Sequence, residues 1–261
     1  MGTVSLVVLA AGKSTRFGRP KQLEPIGPEG ETLLDLTLRD AFALGCDEAR
    51  LVVREEHEDL FRERYKKNKR VHVFVQRKAL GTAHAAMVGM NHAADTCIVA
   101  NGDDYYGARS MELAVAHARD GYPEENALVA FQMHKTLSPN GPVNRAVCRA
   151  GRYHLKGTEE VYGSAMGTDG SIRDRDGRIW PKSTLVSMNL WVMRDWFDIA
   201  LDRYWHDRDP DDRSEFGLPT AVAMAMTEEH QFRVLRTPDR WCGLTYAADA
   251  ELARRFFSGH A

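Results

Sequence analysis

Apolar residues in the first half of the chain fall in short β-branched blocks separated by longer stretches of helical spacing. Val4–Leu9, Ala49–Val53, Val71–Val75 and Thr96–Ala100 read as buried strands, and Thr32–Leu44, Glu56–Lys67 and Gly81–His92 as the helices between them. In the first helix Leu33, Leu36, Leu38, Ala41 and Leu44 share a face, with Thr32 as N-cap and Gly45 as the stop. A helix near Ser110–Arg119 and a strand at Ala127–Met133 follow. This alternation predicts βαβ units: an α/β fold of three layers, α/β/α, with a mixed, mostly parallel central sheet.

The second half is less regular. Val143–Leu155 alternates around Gly151-Arg152 as a hairpin would, and Ser164–Pro181 carries turn signals at Asp169-Gly170 and Asp176-Gly177. A strand through Leu185–Val192, helices near Trp196–Trp205 and Pro219–Met226, a polar loop over Arg208–Ser214, a strand at Phe232–Leu235 and a helix near Asp249–Phe257 complete the pattern. No repeat or linker interrupts it. The expectation is one domain over 1–261, with two halves that meet at about 135–136.

Composition narrows the class. With 43% hydrophobic and 28% charged residues and a formal net charge of -2, the 261-residue chain has the balance of a soluble globular protein. It lacks the global basic field that would recruit nucleic acid. The four cysteines are far apart and form no C-x-x-C pair, which suits a reducing cytoplasm better than a zinc site or a disulfide framework. No run approaches membrane-spanning length. The expectation is a cytoplasmic protein without nucleic-acid or membrane partners, acting alone or as a homo-oligomer.

The most informative stretch is Leu6–Leu23, where a strand stops at two alanines and a glycine and runs into a basic loop with Arg16 and Lys21. Small residues allow close backbone approach, and their N–H groups can face phosphate oxygens. Arginine and lysine add a planar fork and a compact charge. A P-loop would need glycine where Val7 stands, and the dinucleotide fingerprint fails at Ser14. Leu9, Ala10, Ala11, Gly12, Lys13, Ser14 and Thr15 are thus candidate nucleotide-binding residues. Asp103 and Asp104 follow the strand Thr96–Ala100, where carboxylates could bridge a divalent cation to a triphosphate. Gln76 ends a strand and Gly81-Thr82 opens a helix, leaving room for a base and an amide to read its edge; His84 reads as a helix-surface histidine.

Together these segments resemble the sugar-phosphate nucleotidyltransferase family. Leu9–Gly12, Arg16 and Pro20-Lys21 match its L-A-A-G-x-x-x-R-(x)n-P-K signature, Gly102-Asp103 its metal-holding G-D segment, and Gly81-Thr82-Ala83 its base-recognising G-T-A. The resemblance implies a Rossmann-like fold of the nucleotide-diphospho-sugar transferase type, with a nucleotide-binding half over about 1–135 and an acceptor-binding half over about 136–261. It also implies attack of an acceptor phosphate on the α-phosphorus of a nucleoside triphosphate, with pyrophosphate leaving. Arg16, Lys21 and Asp103 become the catalytic candidates, Asp103 and Asp104 the Mg²⁺ ligands, and Gln76, Gly81 and Thr82 the base site. The partners implied are a nucleoside triphosphate and a phosphorylated small-molecule acceptor, foremost a sugar 1-phosphate. On the acceptor side the candidates are Arg145, Glu160, Asn189 and Glu215, the last equally readable as a helix-start charge. Two departures stand out: Val161 replaces the basic residue expected beside Glu160, and Gly243 replaces the aspartate of a W-x-D motif. Asp239 or Asp249 could substitute for that aspartate. A cytidylyltransferase of a non-sugar phosphate, a glycosyltransferase of the same fold and a non-catalytic nucleotide-binding subunit remain open.

Overall fold

The computed structural model describes residues 2–12, 20–91, 93–208 and 215–258. Lys13, Ser14, Thr15 and Arg16 therefore lie outside the described residues.

Thirteen strands and seven α-helices are present among the described residues. The strands are β1 (Val4–Leu9), β2 (Glu48–Arg54), β3 (Val71–Gln76), β4 (Thr96–Asn101), β5 (Asp104–Tyr105), β6 (Asn126–Gln132), β7 (Val143–Ala150), β8 (Leu155–Met166), β9 (Ile172–Arg173), β10 (Ile179–Trp180), β11 (Leu185–Arg194), β12 (Phe232–Arg236) and β13 (Cys242–Gly243). The helices are α1 (Leu33–Leu44), α2 (Glu58–Tyr65), α3 (Thr82–Met90), α4 (Ala108–Asp120), α5 (Asp195–His206), α6 (Leu218–Thr227) and α7 (Asp249–Phe257).

The main sheet runs β3-β2-β1-β4-β11-β6-β12, with β11 antiparallel to its neighbours and the other pairs parallel. Beside the first half of β11, β7 through β10 fork away as an antiparallel extension. The α/β fold with a mixed, mostly parallel sheet and helices on both faces is as the sequence implied. A parallel strand covered on both faces has no solvent side, which is why β1 is apolar without interruption. Its Val4, Leu6 and Val8 enter the core under α1, α2 and α4, while Val7 and Leu9 enter the core under α3, α5 and α6.

Local chemistry sets the helix ends. Thr32 and Asp35 form a reciprocal capping box at the start of α1, and Gly45 ends it at φ 110°, where a side chain would be strained. Within the predicted Glu56–Lys67 segment, Glu55–His57 forms a 3-10 turn and only Glu58–Tyr65 is α-helical. The small β5–β13 sheet was not expected from the sequence. It ties residues far apart in the chain, as does α7, whose Arg254 donates to the Pro25 carbonyl (3.1 Å) and the Glu24 carboxylate (2.6 Å). Among the described residues no helix is long and apolar enough to cross a membrane.

Candidate functional site

β1 leads through α1 to β2 on one side, whereas β4 lies on its other side. Leu9 and Asn101, the last residues of β1 and β4, are paired in register at this switch in strand order. Such a point leaves a crevice at the carboxyl ends of the strands. Here it is a cleft of about 380 Å³. Leu9, Ala11 and Gly12 line it from β1, Lys21 and Gln22 from the following loop, and Asn101 and Asp103 from β4. Gln76, Gly81 and Thr82 close the far side with Glu215. Among the described residues nothing stands within 4 Å of where a Cβ on Gly12 would be.

The Lys21 ammonium forms an ion pair with the Asp103 carboxylate, each side chain about one-fifth exposed (22% and 19%). Its Nζ also donates to the Leu244 carbonyl at 3.4 Å, a long contact. Both groups thus face the cleft. Asn101 Oδ1 accepts from Asn189 Nδ2 (2.8 Å), and its Nδ2 donates to Asp104 Oδ2 (2.9 Å).

Asp104 corrects one expectation. Its side chain is buried at 4% exposure and turns away from the cleft, accepting from Asn101 Nδ2 and, at 3.4 Å, from Tyr106. Burial, reinforced by the negative charge of Asp103, pushes its carboxyl up to about 7. Asp103 lines the cleft and Asp104 does not. The same packing explains Gly243: a Cβ there would meet the Trp241 ring at 2.1 Å and Asp104 Oδ1 at 2.5 Å. No aspartate fits. Neither alternative carboxylate lines the cleft: Asp239 accepts from the Ser110 backbone and hydroxyl, and Asp249 from Ser138, Asn140 and the Thr245 and Tyr246 N–H groups.

The acceptor-side candidates are not brought together. Arg145 follows the period-two alternation of β7 onto its buried face, where its guanidinium is held by the Thr136 hydroxyl and carbonyl and by the Asn144 carbonyl. It lies 5.0 Å from the Trp241 ring, and burial lowers it to about 10. It is a core residue and lines no part of the cleft. Glu160 sits on the exposed edge of β8, separated from β11 by β7. Asn189 occupies a register shift in β11 at φ 64°, with Oδ1 accepting from Trp191 Nε1 and Nδ2 spent on Asn101. It braces the end of β4 rather than presenting a free amide. Of the four, Glu215 alone lines the cleft.

The base side is more organised than the sequence suggested. The segment after Glu215 docks on the start of α3: Phe216 N–H donates to the Leu80 carbonyl (2.7 Å), Ala83 N–H to the Phe216 carbonyl (2.9 Å) and Leu218 N–H to Thr82 Oγ1 (2.8 Å). A Cβ on Gly81 would stand 2.3 Å from the Phe216 carbonyl, so the close approach requires glycine. His84 is half-buried, 3.0 Å from Gln76 Nε2 through Nδ1 and edge-on to Trp205. It is not the solvated surface histidine expected. Gln22, not singled out from sequence, is buried beneath Gly102 with its Oε1 unpaired. Its position just after Lys21, in the same loop, was the available signal.

Asp103 is the one acidic side chain of the strand-end pair that faces the cleft, and no group of three or more potential metal ligands occurs among the described residues. Magnesium is commonly held by one or two carboxylates together with substrate phosphates and waters. The donor set fits a cation that arrives with a polyphosphate, and it is too small for an all-protein cage.

A crevice at the carboxyl ends of parallel strands, walled by small residues and lined by Lys21, Asp103 and Glu215 among the described residues, is where an open α/β sheet takes its ligand. The chain belongs to the MobA-like NTP transferase domain family, which it matches over residues 6–154. It is 32% identical over 133 residues to the bifunctional protein GlmU of Methanococcus maripaludis strain C7, covering 47% of this chain and 31% of that protein. The same-named protein of strain C5 is 32% identical over 102 residues, 37% of this chain and 24% of that one. The chain thus spans less than a third of the length of either curated relative. A Bacillus anthracis structure described as a glucose-1-phosphate thymidylyltransferase, solved with sucrose, superposes with TM-score 0.73 at 13% identity, covering 98% of this chain and 95% of that one. The inositol-1-phosphate CTP transferase of T. maritima gives TM-score 0.69 at 15% identity, with coverage of 98% and 97%. These likenesses show the shared fold.

Proposed function

We propose that the protein is a nucleotidyltransferase that moves a nucleoside monophosphate from a nucleoside triphosphate onto a phosphorylated small molecule, foremost a sugar 1-phosphate. An acceptor phosphate oxygen bonds to the α-phosphorus, the bond from the α-phosphorus to the β-phosphate oxygen breaks, and pyrophosphate leaves. The observation that carries this reading is the meeting of Lys21 and Asp103 in one cleft at the ends of β1 and β4. A phosphate acceptor is already ionised near neutral pH, so the protein needs no general base; alignment and charge neutralisation supply the rate. Lys21 answers the charge developing around the α-phosphate, and Arg16, as the resemblance implies, the β- and γ-phosphates. Gln76, Gly81 and Thr82 seat the base, and Glu215 faces the acceptor end. Asp103 would hold a divalent cation, Mg²⁺ in this reading, which when bound neutralises phosphate charge. We further read the chain as one domain, because the sheet runs through both halves.

The test is a screen of sugar 1-phosphates, inositol phosphate and other phosphorylated acceptors against the common triphosphates, read by pyrophosphate release. Acceptor-dependent pyrophosphate with a nucleotidylated product supports the reading. Product formed from a nucleoside diphosphate sugar without pyrophosphate would replace it with glycosyl transfer.

A further inference from the structure

Gln76 is buried at 5% exposure yet lines the cleft, and its amide can be oriented from its neighbours. The Gly81 carbonyl, 3.1 Å from Nε2, can only accept, so the amide nitrogen must face it. That carbonyl is held in place because Gly81 is wedged against the Phe216 backbone and also accepts from Ala85 N–H at 3.1 Å. The second Nε2 hydrogen points to His84 Nδ1 at 3.0 Å. Both hydrogens are thereby spent inside the protein. No described residue donates to Gln76 Oε1, which leaves the cleft wall with an acceptor and no donor from this side chain.

Resting on the nucleotidyltransferase reading above, we propose that His84 is a positioning residue for base selection: its Nδ1 lone pair locks the Gln76 amide so that only Oε1 meets the nucleobase. The triphosphate chosen must then present an N–H to that oxygen. A site whose polar atom demands a partner discriminates far more strongly than shape alone, because a wrong base leaves that atom unpaired. His84 must be neutral and carry its proton on Nε2 to play this part. Burial lowers its proton affinity in that direction, and the edge-on Trp205 ring, 4.8 Å between centroids, fixes the imidazole plane.

The test measures binding of UTP, CTP, GTP and ATP, each with Mg²⁺, by calorimetry on the full chain. His84→Phe keeps a ring against Trp205 and removes the lone pair; His84→Asn restores an acceptor where Nδ1 stood. The wild type is expected to prefer one triphosphate by at least about tenfold. His84→Phe should lose about tenfold for that nucleotide and narrow the spread among the four, while His84→Asn should recover most of it. In turnover the loss should appear in KM with kcat nearly unchanged. Unaltered affinities and spread in His84→Phe would overturn the role of His84 and leave the proposed function standing. A wild type that binds no triphosphate would overturn both. Should His84→Phe fail to fold, nitrogen-15 NMR of the wild-type histidines decides: an Nε2–H tautomer with Nδ1 accepting is expected, and an Nδ1–H tautomer would refute the lock.

Discussion

Lys21 and Asp103 are joined to each other, and catalysis by the proposed route requires each to change partner, the ammonium to a phosphate and the carboxylate to a cation. Lys21→Ala should lower kcat by about two to three orders of magnitude with a smaller effect on triphosphate binding, because the charge it meets grows in the transition state. Steady-state kinetics within a few-fold of wild type would remove Lys21 from the mechanism. Asp103→Asn should abolish Mg²⁺-dependent turnover, since an amide is a poor ligand for a hard cation. Asp104→Asn should leave the Mg²⁺ dependence of the remaining activity unchanged, as its carboxylate faces Gly243 and Trp241. Equal shifts in metal titrations of the two variants would contradict that division. The sequence shows both aspartates at a strand end but not which way each turns. That depends on Trp241 and Gly243, more than a hundred residues away. The burial of Arg145 is legible in the sequence, because Val143, Arg145 and Val147 alternate onto one buried face.

At the scale of elements, α1 shows how closely local signals can specify structure. Thr32, the apolar face and Gly45 gave both ends of the helix, and the cap is now seen to be reinforced from α2: Asp35 accepts from the Thr32 N–H, Arg64 and Tyr65. Thr32→Ala should cost about 1 kcal/mol in denaturant unfolding. Burial acts to raise the Asp35 carboxyl, but hydrogen bonds from Arg64, Thr32 and Tyr65 outweigh it and hold it below the ordinary 3.8. A carboxyl lowered by folding contributes stability above its unfolded pKa and loses it as pH falls through the folded value. The melting-temperature gap between wild type and Asp35→Asn should therefore be full near neutrality and shrink below about pH 4. A gap constant from pH 7 to 3 would show that the carboxylate is not ionised in that role. β11 was the opposite case: its strand was evident, but not the register shift that carries Asn189 to φ 64°, where its amide donates to Asn101 Oδ1 and accepts from Trp191 Nε1.

Across the whole molecule, one cleft-facing carboxylate at the strand end predicts an ordered requirement. Mg²⁺ alone at about millimolar concentration should give little calorimetric heat and no rise in melting temperature, whereas Mg²⁺ with the preferred triphosphate should give both. Tight binding of Mg²⁺ to the free protein would mean that further ligands complete the site. The assembly of the sheet has a consequence for how the chain is made. β11 alone separates β4 from β6, and its first residue, Leu185, is added more than eighty residues after Asn101. For an interval on the order of ten seconds the nascent parallel sheet carries a bare edge along β4, just before Asp103. Lys21 waits longer still for Leu244. Until the last strands arrive, the growing polypeptide is an open template for pairing with its neighbours on the same message, and a folding helper that shields that edge would raise the yield of native protein more than one acting on the finished chain.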